Sequence, residues 1–134
     1  MKKERILVVD DDLEDLEMMK SILEKEKYSV VTTDNGVDAL NLVVKDGIDL
    51  ILIDIKMPTL SGYDLLRLLR EKITHKVKMV YVSIIPKKEV DLSDVNGFVQ
   101  KPLVSEVFFT NNFIFVSDFF TFSVCFQKNF KDSS

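Results

Sequence analysis

Leu50-Ile51-Leu52-Ile53-Asp54-Ile55-Lys56-Met57-Pro58 is the stretch from which the fold is read. Its first four residues are apolar at consecutive positions. A strand with one face in water alternates; a strand covered on both faces does not, and that is the habit of parallel sheets flanked by helices. Working outward, the same kind of run recurs at Ile6-Leu7-Val8-Val9, Val30-Val31-Thr32-Thr33, Met79-Val80-Tyr81-Val82 and Phe98-Val99. Stretches with helical spacing lie between them. Strand–helix repetition of this kind implies right-handed crossovers and an α/β sandwich.

Local signals bound the helices. Asp12 can cap a helix from Leu13, with Glu14 and Asp15 in its positive first turn. Leu13, Leu16, Met19 and Leu23 are expected on its buried face. Asn35-Gly36 turns the chain into a second helix that carries Val37, Leu40 and Val44 and is expected to end at Gly47. Ser61 can cap a third, with Asp64 as its capping-box partner and Leu65, Leu66, Leu68 and Leu69 inside. Pro86 and Ser93 leave room for only a short fourth helix. In 134 residues with net charge −4 there is one core and no Lys/Arg cluster suited to direct nucleic-acid binding. The lone cysteine, Cys125, allows no internal disulfide, which fits a reducing cytoplasm. No secretion signal is read at the N-terminus.

Polar residues stand where the strands end. Asp10 and Asp11 follow the first run, Asp54 the third, Ser83 the fourth and Lys101 the fifth. In an open parallel sheet, ligands bind beyond the carboxyl ends of the strands. Three carboxylates brought together need a hard cation, and Mg²⁺ suits an all-oxygen set. One carboxylate can then attack phosphorus and form an acyl phosphate. Lys101 can pair with a phosphoryl oxygen and the Ser83 hydroxyl can donate to another, which is the positioning that phosphoryl transfer requires. The competing reading makes Asp10, Asp11 and Asp12 a helix cap and a solvated loop. His75, among lysines, reads as solvated, and Cys125 as buried rather than reactive.

Val8-Val9-Asp10-Asp11, then Asp54-Ile55-Lys56-Met57-Pro58 with Gly62, then Val82-Ser83, then Gly97-Phe98-Val99-Gln100-Lys101-Pro102 resemble the response-regulator receiver family, in order and spacing, over residues 5 to about 104. The resemblance implies a doubly wound five-stranded parallel sheet of the flavodoxin-like kind, in the order 2-1-3-4-5. It makes Asp54 the phosphoacceptor, served by a partner sensor histidine kinase. It makes Asp11, Asp54 and the backbone carbonyl of Lys56 direct Mg²⁺ ligands, with Asp10 acting through metal-bound water. Ser83 and Lys101 would hold the phosphoryl group, Phe98 would be an aromatic that changes rotamer on activation, and Lys101-Pro102 a cis peptide. Such a domain catalyses its own phosphorylation and dephosphorylation without being a turnover enzyme. With no room read for an effector domain, its output is expected through an unknown downstream protein or self-association. An aspartyl phosphatase needs an acid two residues after the nucleophile, where this chain has Lys56.

Two departures bear on output. Ile84 stands where the family usually has a small residue and is expected to narrow access to Asp54. Residues 1–104 read as the receiver core, whereas residues 105–134 carry nine of the ten phenylalanines and no leucine. That segment replaces the usual last helix, fits helix and strand periodicity equally well, and is interrupted by Asn111, Asn112 and Asp118, so it is not read as a membrane span. Its apolar content suggests a homodimer, and hence an alternative function: an interaction module indifferent to phosphorylation. An altered reading frame after Leu103 gives the same abrupt change of composition.

Overall fold

The computed structural model describes residues 4–45 and 47–101. Five strands, β1 (Arg5–Val9), β2 (Ser29–Thr33), β3 (Leu50–Asp54), β4 (Lys78–Ser83) and β5 (Gly97–Gln100), form one parallel sheet in the order β2-β1-β3-β4-β5. Three helices connect the first four strands: α1 (Leu13–Lys25), α2 (Gly36–Lys45) and α3 (Gly62–Lys72). All five residues of β3 are buried, as expected of a central strand covered on both sides. Side chains alternate between the two faces. Ile6, Val8, Leu50, Leu52, Val80, Val82 and Val99 share one core with α1. Leu7, Val9, Ile51, Ile53, Met79, Tyr81 and Phe98 share the other with α2 and α3.

The cap signals act as the sequence implies. The Asp12 side chain accepts from the amides of Glu14 and Asp15 at 2.9 and 3.1 Å. Asn35 Oδ1 accepts from the Asp38 amide at 2.9 Å, and Ser61 Oγ from the Asp64 amide at 3.2 Å. Gly47 closes the α2 connection at φ +59°, a conformation glycine adopts without strain.

Helix faces needed correction. Leu13 is 64% exposed, because the buried stripe of α1 runs through Leu16, Met19, Ile22 and Leu23 and leaves Leu13 off that face. In α2 the buried residues are Gly36, Ala39 and Val43, whereas Val37 and Val44 face water. Small residues at Gly36 and Ala39 let the helix approach closely, and that decides the face over side-chain size. Leu68 of α3 is also partly exposed, leaving Leu65, Leu66 and Leu69 inside. Between β4 and β5 stands a single 3₁₀ turn, Lys87–Glu89, in place of a short fourth helix. Val90 beyond it is buried in the α2–α3 core, and the Asn96 side chain accepts from the Met79 amide at 2.9 Å to tie this connection to β4. The expectations for Pro102 and for the Phe-rich segment 105–134 lie outside the described residues.

Candidate functional site

Strand register assembles the site. Val9 is level with Ile53, and Asp54 with Val82, so Asp10 and Asp54 leave adjacent strands at one height. Ser83 pairs with Gln100, which puts Lys101 one residue above the end of β5. The Lys101 amide donates to the Ser83 carbonyl at 2.9 Å. Gln100 Nε2 lies 3.0 Å from the same carbonyl and 3.1 Å from that of Ile84, bracing the β4–β5 end.

Asp10 and Ser83 are wholly buried, and Asp54 is nearly so. Asp11 is exposed. One carboxylate oxygen each from Asp10, Asp11 and Asp54 lie within 4.8 Å of one another. Lys101, itself buried, sets its Nζ 2.7 Å from Asp10 Oδ2, 2.9 Å from Asp15 Oδ2 and 3.6 Å from Asp54 Oδ1. The structure thus brings together Asp10, Asp11, Asp54 and Lys101. Ser83 closes the neighbouring strand end, where its Oγ accepts from the Ile85 amide at 3.1 Å. Lys56 is exposed and follows Asp54 by two residues.

These surroundings shift the titrations. Burial, reinforced by the Asp10 charge, pushes the Asp54 carboxyl from an ordinary 3.8 up to about 7. Burial likewise raises Asp10, against the opposing pull of Lys101. Burial works against the Lys101 ammonium, but the Asp10 and Asp15 carboxylates outweigh it and hold the group charged.

The close set of carboxylates is a fair fit for a small divalent cation. Oxygens bound to one octahedral Mg²⁺ lie roughly 2.9–4.2 Å apart, and the set here is all oxygen and within reach of that spacing. Even with Lys101 beside it, the cluster keeps a net negative charge for a cation to neutralise.

Gly62 holds the acceptor loop in place. Its amide donates to the Ile55 carbonyl at 2.8 Å. A Cβ at this position would stand 2.4 Å from the Asp54 carbonyl oxygen and 2.7 Å from Ile55 Cα. Only glycine lets the start of α3 lie this close to the end of β3. Ile84, placed by the sequence over the site, is 61% exposed. Phe98 is buried in the α2–α3 core. His75 is exposed but not free, its Nε2 standing 3.1 Å from the Ile48 carbonyl at the far, amino-terminal end of β3.

Sequence reasoning missed two contributors. Asp15 was accounted for as a first-turn acid of α1, and its position one helical turn after Asp11 was the signal that it also faces the site. Gln100 carried no sequence signal, since its bridging role depends on the β4–β5 register.

Residues 6–110 match the family model described as response regulator receiver domain. The transcriptional regulatory protein CpxR of Escherichia coli K12 is 39% identical over 79 residues, 59% of this chain and 33% of CpxR. The chain spans a third to a half of the length of the curated relatives it matches. Among solved structures, the response regulator TrrA of Thermotoga maritima in complex with Mg²⁺ and BeF is similar, with a TM-score of 0.67 and 29% identity over 75% of this chain and 88% of that one. A structure of the histidine kinase ThkA in complex with TrrA matches with a TM-score of 0.66 and 31% identity, covering 73% of this chain and 85% of the other. Among the described residues no helix is long and apolar enough to cross a membrane.

Proposed function

The chain belongs to the response regulator receiver domain family, and from that membership we propose that it takes a phosphoryl group from a histidine kinase onto Asp54 and alters its binding surface in response. The observation that carries this is the buried Asp54 carboxylate clustered with the acids Asp10 and Asp11, with the Lys101 ammonium 3.6 Å from it. An Asp54 oxygen forms the new bond to phosphorus while the bond from phosphorus to the donor's imidazole nitrogen breaks; that nitrogen keeps the electron pair, and a donor ring protonated on its other nitrogen leaves as neutral imidazole. Lys101 offsets charge on the transferred group. The Ser83 hydroxyl, fixed at the end of β4, donates to another phosphoryl oxygen.

Asp10, Asp11 and Asp54 would hold Mg²⁺, together with the Lys56 carbonyl. When bound, that ion neutralises the carboxylates and orients the phosphoryl group. Support comes from the spacing of the oxygens and from TrrA, a 29% identical relative crystallised with Mg²⁺ and BeF. The kinase partner is proposed from the ThkA–TrrA pair. The altered surface is read by a downstream protein.

Beryllofluoride with Mg²⁺ tests the reading, because it mimics a phosphoryl group only on a working carboxylate. Saturable binding that is lost in Asp54→Asn is expected. A chain that binds no beryllofluoride while still self-associating is the phosphorylation-independent module instead.

A further inference from the structure

We infer that Asp15 is a positioning residue that holds Lys101 away from the acceptor and competes with the phosphoryl group for its ammonium. The inference rests on the phosphoacceptor reading of Asp54. An ammonium has three N–H donors. Two short ion-pair contacts, 2.7 Å to Asp10 Oδ2 and 2.9 Å to Asp15 Oδ2, hold the ammonium between these carboxylates. Asp54 Oδ1, at 3.6 Å, lies beyond hydrogen-bond range. The cation is therefore drawn toward α1 and off the residue it would serve.

The two holders differ in how readily they let go. Asp10 is wholly buried, and its other oxygen already accepts from the Asp12 amide at 2.9 Å. Releasing the ammonium from it would leave a buried charge uncompensated, a costly state. The Asp15 side chain keeps 23% of its surface in water and sits on the first turn of α1. Water and the helix amino terminus can take over its charge when Lys101 leaves. Asp15 is thus the partner exchanged for a phosphoryl oxygen. Its carboxylate also adds negative potential beside the site, which opposes an incoming anion and favours a cation.

These signs separate the role from a merely structural one. Asp15→Asn removes the charge and keeps the shape. Mg²⁺ affinity, titrated first without beryllofluoride, should stay equal or weaken. Beryllofluoride affinity at saturating Mg²⁺ should rise, by about two- to fivefold for one partly exposed ion pair. Asp15→Glu, which keeps the charge, should restore parental behaviour. Weakening of both ligands together would make Asp15 a structural residue of α1 and overturn the inference, as would beryllofluoride affinity that stays level or falls. Should Asp15→Asn fail to fold, Asp15→Ser, a good residue for a first helical turn, gives the same reading. If the parent chain binds no beryllofluoride, the phosphoacceptor reading falls first and this inference with it; if the parent binds and the variant binds identically, only this inference falls.

Discussion

At Asp54, burial competes with function. A carboxyl raised from 3.8 to about 7 binds its proton more firmly in the folded chain than in the unfolded one. Stability from that difference is fully present below about pH 4 and is lost as pH rises through about 7. A cation needs the deprotonated form and binds only the native site, so its effect runs the other way. We expect millimolar Mg²⁺ to raise the melting temperature more at pH 8 than at pH 5.5, measured by thermal unfolding at both. An increment independent of pH would contradict the assignment of Asp54 to the metal site. Ile84, directly after Ser83, bears on lifetime. Its side chain is 61% exposed, and beside the proposed acyl phosphate on Asp54 a bulky apolar group in this position is expected to hinder an incoming water. Ile84→Ala should shorten the phosphorylated lifetime severalfold in a phosphate-release assay; an unchanged lifetime would remove the steric argument. The acids Asp10, Asp11 and Asp54 were readable from the sequence because strand ends collect ligands. The ion pair from Asp15 was not, since a first-turn acid is already explained by the helix dipole.

Elements reached their places by pattern, and their faces by packing. Short apolar runs gave all five strands, most plainly β3, whose five residues are all buried in a sheet covered on both faces. In α2 the spacing of Val37, Leu40 and Val44 did not name the buried face: Gly36, Ala39 and Val43 are buried, and Val37 and Val44 are exposed. The segment after β4 is shorter still than its spacing suggested, a 3₁₀ turn with Val90 as its buried anchor. Packing at Gly62 is a tight junction beside Asp54, where an added Cβ would stand 2.4 Å from the Asp54 carbonyl oxygen. Gly62→Ala must move the start of α3 or the Asp54–Ile55 backbone, and overpacking of this kind costs about 1–3 kcal/mol. Chemical denaturation should register that loss, together with weaker Mg²⁺ binding from the displaced carboxylate. Parental stability in this variant would mean that the contact relaxes freely.

Over the whole molecule, the sheet order, the register and the two cores serve one crevice. The sheet order was legible in the first hundred residues through the family resemblance, whereas the strand register, on which Gln100 depends, was not. The Phe-rich segment 105–134 is where sequence patterns ran out, since its periodicity supports two structures equally. Its apolar content leads us to expect self-association of the full chain. Light scattering should give a larger mass for it than for a version ending at Ser105; a full chain that stays monomeric at high micromolar concentration would refute the dimer. The central claim concerns Asp54, and incubation with acetyl phosphate and Mg²⁺ followed by mass spectrometry of the intact chain tests it most directly. The parent should gain the mass of one phosphoryl group, and Asp54→Ala should gain none. If Asp54→Ala is phosphorylated as readily as the parent, Asp54 is not the acceptor.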